Sequence, residues 1–494
     1  MSDTLFPFFN SNSEKVALVE GENKHTYSEV NDRINLFSSG ILGAKEDLNE
    51  ERIAFFLPAS LDYVTTMHGV WRAGGIAVPL NVASAVSELD HYLTCAKVTR
   101  LIAGTEYHES LEELCKSLEI ELLSVSEVMA EEPRALPLIN PERRAMMLFT
   151  SGTTNKPKGV VSTHKTICAQ ITTLITAWEW SEKDVIPLFL PLHHIHGIIN
   201  ILSCGLWAGA TVHLFSRFDI PEISKQITHG TYNVFMAVPT IYVKLIQYFE
   251  TIEKDEVEKI CAGFSAMRLN ISGSAACPVK LFEQWKELTG QILLERYGMT
   301  EIGMGISNPY NGERRAGAVG QPLPGVLCQL FDENDNAVER ESEPGEIRIK
   351  GDNVFLEYWE NEEATKSSFK DGWFCTGDVA VVEQGYYRIM GRSSVDIIKS
   401  GGYKLSALEI EGVLLTHDAI SEVAVIGVED DIWGEAVTAF VALKEGTALE
   451  FDSLKSWCEG RMSSYKIPKH LKLVDALPRN AMGKVTKPSL KELL

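Results

Sequence analysis

Residues 148–160 read LFTSGTTNKPKGV, a hydroxyl- and glycine-rich stretch with two lysines. An apolar run ends at Thr150. Ser151, Gly152, Thr153 and Thr154 follow, then Lys156, Lys158 and Gly159. Glycines let the backbone turn its N–H groups inward, hydroxyls add donors and a lysine adds charge, which together make an anion-binding concavity. The spacing is not Walker A, because Gly-Lys-Ser/Thr does not follow at the required offset. By composition alone such a loop is also a flexible linker. Four further strings carry chemistry-bearing side chains: Tyr297-Gly-Met-Thr-Glu301, Thr376-Gly-Asp378, Gly391-Arg392 with Asp396–Lys404, and Pro478–Lys484. Taken singly, each has a structural reading as a turn, a solvated face or a tail.

Taken in order, the strings resemble the motifs of the adenylate-forming superfamily of acyl-CoA synthetases, adenylation domains and luciferases, and the resemblance covers nearly the whole chain. It implies that Thr150, Ser151, Gly152, Thr153, Thr154 and Lys158 bind the ATP phosphates. Ser274, Ala275 and Ala276 then resemble the end of the adenine-pocket strand. Tyr297, followed by Gly298 and Met299, would stack on adenine, Thr300 would bond the AMP phosphate and Glu301 would hold Mg²⁺, a cation that prefers hard oxygens and bridges phosphates. Asp378 would accept the ribose hydroxyls, as a carboxylate can, and Arg392 would reach the ribose. Ser400, Gly401, Gly402, Tyr403 and Lys404 would form the face approached by CoA. Lys484 would stabilise the charge that develops at the α-phosphate and carboxylate. Two departures are visible. Asn155 stands where the family usually has Gly, and Asn tolerates positive φ. Four residues, Ser-Ser-Val-Asp, separate Arg392 from Ile397, which leaves Ser394, Val395 and Asp396 as hinge candidates.

The acid to be activated must be read from the side chains around it. His194 and His196, in PLHHIHG, occupy the segment that forms the acyl-pocket wall in relatives. Arg296 directly precedes Tyr297, where many relatives carry a small residue. An arginine there is costly unless it meets an anion, and a guanidinium matches a carboxylate bidentately. The competing reading is an ion pair with Glu295 or Glu283. The strings LLERYGMTEIGM, SNPYNGERRAGAVGQPLPGV, GRSSVDIIKSGGYKLSALEIE and LPRNAMGK most closely resemble malonyl-CoA synthetases. His196, Ser274 and Arg296 are the expected receivers of a second, unreacting carboxylate, with His194, Ser272 and Lys244 as further polar candidates. The expected enzyme is an ATP-dependent, AMP-forming acid–thiol ligase that makes malonyl-CoA through an acyl-adenylate, its small domain rotating between half-reactions. Ligases for methylmalonate, a medium-chain acid or an aryl acid are the alternatives, as is an adenylation enzyme loading a carrier protein. A degenerate nucleotide sensor fits poorly, since Lys484, Glu301, Asp378 and Arg392 are all present.

These residues need rigid elements to hold them. Arg52–Leu57, Gly75–Leu80 and Thr99–Ala103 predict buried strands, with a helix over Leu61–Arg72 between the first two. Tyr232–Val238 predicts a strand, Thr240–Phe249 a helix, and Pro278–Leu288 a helix stopped by Gly290. Gly197–Phe215 lacks Asp, Glu, Lys and Arg, and is read as a buried helix (Ile198–Trp207), a break at Gly209 and a strand, not a membrane span. The alternation predicts an α/β fold with mostly parallel sheets. After about residue 320 the texture changes to period-two strands, Gly345–Lys350 and Gly385–Gly391. From Arg392 onward the pattern reads as a compact α+β unit. The expected organisation is a multi-subdomain N-terminal domain over residues 1–391 and a hinged C-terminal domain over 392–494.

The chain of 494 residues carries 46 Lys+Arg against 68 Asp+Glu, a formal net charge of −22. That disfavours nucleic acid or an anionic membrane as partner, and an anionic substrate needs a locally positive site. Nine cysteines without a C-x-x-C pair fit a reducing compartment. The segment MSDTLFPFFNSNSEK shows no basic region or apolar core of a signal peptide, so a cytoplasmic location is expected. The expected partners are ATP with Mg²⁺, CoA and a short dicarboxylic acid; the oligomeric state is not legible.

Overall fold

A computed structural model describes residues 9, 13–150, 157–401, 403–479 and 485–494. Contacts divide the chain into two compact units: residues 1–327 with 350–372, and residues 328–349 with 373–494. The change of texture near residue 320 falls close to this division. The expected boundary at 391/392 lies inside the second unit, because Tyr386–Arg392 pairs along its length with Trp373–Glu383.

The first unit is built on three sheets. The largest has seven strands, ordered Glu357–Tyr358, Lys158–Thr163, Arg144–Thr150, Ile76–Pro79, Arg52–Phe56, Arg100–Ala103 and Glu121–Leu123. Its inner strands pair in parallel, as buried runs rich in β-branched residues require. Helix Leu61–Arg72 returns the chain between two of them; it begins at Ser60, whose hydroxyl accepts the Tyr63 N–H, a standard N-cap. A second sheet orders Val234–Ala237, Leu269–Ser272, Leu294–Met299, Gly303–Ser307 and Gln321–Pro322. Its first three strands are parallel and its last pairs antiparallel. Helix Val279–Thr289 lies between Pro278 and a left-handed Gly290, as its sequence requires. The third sheet joins Asn23–Thr26, Val16–Glu20, Thr211–Leu214 and Val185–Leu188.

The apolar stretch after His194 is a helix with a difference. His196–Ser203 is wound as a π-helix and only Cys204–Ala208 is α-helical; left-handed Gly209 then ends it and Thr211–Leu214 is a strand. Every residue of His196–Ser203 is buried. Among the described residues no helix is long and apolar enough to cross a membrane.

The second unit contains the antiparallel strands Leu327–Phe331, Gly345–Lys350, Trp373–Glu383 and Tyr386–Arg392, and a further sheet around the long pair Ile420–Asp430 and Gly434–Leu443. Helices Ala407–Leu414 and Phe451–Cys458 pack over that pair, with Ile410, Leu414, Val425, Val437, Ala439 and Leu454 at the centre. A smaller core on the other face gathers Ala424, Ile426, Phe440, Leu477 and Leu490. All nine cysteines are free thiols.

Candidate active site

Arg296 lies on strand Leu294–Met299, next to the strand that ends at Ser272. The strand order carries its guanidinium under the turn that follows Ser272. Gly273 makes room: a Cβ there would lie 2.5 Å from Arg296 Cζ. Ser274 then takes a left-handed φ of 66° and presents its hydroxyl inward. Arg296 Nη2 donates to Ser274 Oγ at 3.3 Å, and His196 Nδ1 lies 3.1 Å from the same oxygen. Arg296 and His196 are each 4% exposed, whereas Ser274, Ala275 and Ala276 are exposed. The cluster is thus buried at its base and open at its turn.

Its electrostatics fix what it can receive. Burial pulls the Arg296 pKa down to about 9, which leaves it cationic at pH 7. Burial, aided by Arg296 and His194, holds His196 well below the ordinary imidazole range, so it is neutral. Ser274 accepts from Arg296, and its hydroxyl can either donate to His196 Nδ1 or accept from it, according to the imidazole tautomer. Among the described residues Arg296 Nε and His196 Nε2 are both buried without a partner. An unmatched guanidinium N–H beside one full positive charge calls for an anionic acceptor, since an unpaired buried polar group costs about 1–3 kcal/mol. Among the described residues no carboxylate reaches Arg296. Glu295, on the other face of the strand, instead accepts the backbone N–H of Cys277 at 3.3 Å and of Gly317 at 3.1 Å, and Glu283 forms no ion pair with it. His194 is half-buried, its ring 4.1 Å from that of His193. Ser272 is buried at its strand end. Lys244 is exposed on helix Pro239–Phe249 and makes no bond to the cluster.

The strand that carries Arg296 continues through half-buried Tyr297, Gly298 and Met299 to Thr300 and buried Glu301. Tyr358 donates its hydroxyl to Glu301 Oε1 at 3.0 Å, and Lys158 Nζ sits 5.1 Å from the centroid of the Tyr358 ring. Lys158 in turn faces Thr150 across the hairpin Arg144–Thr150/Lys158–Thr163. Three expected positions, Thr150, Lys158 and Glu301, are therefore joined through Tyr358. Glu301 supplies one hard oxygen donor group, and among the described residues no trio of His, Cys, Asp or Glu forms a metal cage. That donor set fits Mg²⁺ that arrives on phosphates, which takes one or two carboxylates and completes its shell with phosphate and water.

In the second unit Arg392 Nε pairs with Asp378 Oδ1 at 2.8 Å, and its Nη1 donates to the Thr376 carbonyl at 3.0 Å. Asp378 and Arg392 face each other in strand register, so the two expected ribose-binding residues come together. Asp396 accepts the Arg392 N–H at 2.9 Å and closes the turn between them. Ser400 pairs with exposed Tyr403 across a tight hairpin. Gly401 at its tip has φ 57° and donates its N–H to Trp433. Lys404 pairs with Glu333 at 3.3 Å. Ser151, Gly152, Thr153, Thr154, Gly402 and Lys484 lie outside the described residues, as do Asn155 and Lys156.

Residues 8–359 match the AMP-binding enzyme family and residues 409–484 match the AMP-binding enzyme C-terminal domain. The chain belongs to the AMP-binding enzyme family. The mitochondrial malonate–CoA ligase of Mus musculus is 42% identical over 97% of this chain and 88% of its own. A malonate–CoA ligase of Arabidopsis thaliana is 38% identical over 90% of this chain and 78% of its own. Among solved structures, ATP-bound MatB from Rhodopseudomonas palustris superposes with TM-score 0.88 at 31% identity, covering 100% of this chain and 99% of that one.

Within this AMP-binding enzyme, two contributors to the site are not legible in the sequence, and a third has another role there. Tyr358 reaches Glu301 from 57 positions away, and nothing in its neighbourhood marks it. Gly273 stands out only once Arg296 is seen lying against it. Glu295 was weighed as the partner of Arg296, yet it holds the Ser274–Cys277 turn through the backbone. A strand places consecutive side chains on opposite faces, and that periodicity was the available signal.

Proposed function

We propose that the protein is an AMP-forming malonate–CoA ligase. It would convert malonate, ATP and CoA to malonyl-CoA, AMP and pyrophosphate through malonyl-adenylate. The observation that carries this reading is the Arg296–Ser274–His196 cluster, buried at its base, cationic and short of acceptors. One malonate carboxylate answers it, by accepting from Arg296 Nε and, with the imidazole in its Nε2–H tautomer, from His196. The other carboxylate is then held for in-line attack on the α-phosphorus, and positioning with charge neutralisation supplies most of the catalysis. The malonate–CoA ligases among the relatives support the same reading.

In the first half-reaction Glu301 would hold the Mg²⁺ carried by ATP, Tyr297 would cover the adenine, Asp378 and Arg392 would take the ribose, and Lys484 would neutralise the attacking carboxylate and α-phosphate. In the second, the C-terminal segment would swing about residues 394–396 and present the Gly401–Lys404 face, and CoA thiolate would displace AMP from the mixed anhydride. A cytoplasmic location is part of this proposal. The mouse and human relatives are named as mitochondrial, so fractionation of the tagged protein tests it.

The deciding experiment measures AMP release with Mg·ATP and CoA across acetate, malonate, methylmalonate, succinate, octanoate and coumarate. A maximum at malonate, with succinate weak, is expected. A maximum at octanoate or coumarate would keep the ligase chemistry and remove Arg296 from substrate recognition.

A further inference from the structure

Lys487 is a buried lysine outside every motif assigned above. Its Nζ lies 2.5 Å from Asp396 Oδ1 and 2.7 Å from Glu411 Oε1, and the three side chains are between 10% and 13% exposed. The other oxygen of Asp396 accepts the Arg392 N–H, and Glu411 Oε1 also accepts the Val425 N–H at 2.7 Å. One cation therefore ties three pieces of the second unit together: the turn after Arg392, helix Ala407–Leu414 and the tail that begins at Lys487. Two largely buried carboxylates face this single ammonium, so its loss leaves uncompensated charge on both sides.

Arg479 and Val485 form an antiparallel bridge, and the Thr486 N–H donates to the Pro478 carbonyl. Leu477, Val485 and Leu490 pack into the smaller core with Phe440. Lys484 stands three residues before Lys487, a span of at most about 11 Å of extended chain. We propose that Lys487 is a positioning residue for adenylation: through Asp396 and Glu411 it fixes the chain that follows Lys484 to the hinge turn. The proposal rests on the ligase reading, in which Lys484 serves only the first half-reaction.

The test measures both half-reactions, malonate-dependent ATP–pyrophosphate exchange and thioester formation from supplied malonyl-AMP and CoA, in wild type, Lys484→Ala, Lys487→Ala and Lys487→Arg. Lys484→Ala is the reference and should lose exchange alone. Lys487→Ala is expected to lower exchange roughly 30- to 100-fold and thioester formation less than threefold, with Lys487→Arg recovering most of the exchange. Equal losses in both half-reactions, or no loss in exchange, overturn the proposal. If Lys487→Ala does not fold, Glu411→Gln is read by the same split: a selective fall in exchange supports the proposal and an equal fall in both overturns it. If Lys484→Ala itself shows no selective loss, the ligase scheme fails first and the proposal falls with it, an outcome separable from all the others.

Discussion

Two side chains on adjacent positions of one strand do different work. Arg296 faces the Ser274 hydroxyl, while Glu295 on the opposite face takes two backbone N–H groups. Arg296→Ala should raise the malonate KM by a factor worth about 2–4 kcal/mol, as expected for truncating one partner of a buried charge pair. Initial rates over a malonate series check this, and an unchanged KM removes Arg296 from the site. Glu295 behaves differently. Burial raises its carboxyl to about 7 in spite of the two amides, so between roughly pH 4.5 and 7 the folded chain binds a proton that the unfolded chain has released. Folding stability must then fall as pH rises through that window. Relative to Glu295→Gln, the wild type should lose up to about 3 kcal/mol between pH 4.5 and 8, measurable by urea unfolding at the two ends. A flat difference would show that the Glu295 carboxyl titrates alike in the folded and unfolded chains.

Elements with strong local signals were legible. Leu61–Arg72 and the helix between Pro278 and Gly290 were read from spacing and punctuation, because cap chemistry and periodicity are local. Positions set by tertiary adjacency were not. The pairing of Arg268 with Asp184 is one case: Nε–Oδ1 and Nη2–Oδ2 are both 2.7 Å, and the Asp184 side chain is 1% exposed. Asn233 and the Ser181 N–H complete its shell, and together they bind the strand at Val185 to the one at Leu269. Nothing in the sequence links residues 84 positions apart. Arg268→Ala strands that carboxylate and should cost about 3–5 kcal/mol of stability, while leaving the malonate KM within twofold. Thermal unfolding with parallel kinetics checks both halves.

For the molecule as a whole, the order of motifs was readable and the division of the chain was less so. The sequence suggested a cut after Gly391, where glycine and a charge-rich turn interrupt the pattern, but strand pairing joins the residues on either side of it into one unit. A ligase that uses two faces of its C-terminal segment should separate its half-reactions by mutation. Lys484→Ala should cripple pyrophosphate exchange and spare thioester formation, and Gly402→Leu should do the reverse. Pre-steady-state assays of the two steps decide this, and parallel losses would count against an alternating arrangement. The site also depends on how many residues the chain spends, not only on which. Along His196–Ser203 each backbone hydrogen bond reaches one residue further than in an α-helix, and this wider winding aims His196 at Ser274. Exchanges among the isoleucines would preserve that count. Removing a single residue would let the segment rewind to the tighter α form and rotate its neighbours out of phase. The proposed acid site is therefore protected by a reading frame in space, intolerant of insertions and deletions where it tolerates substitutions.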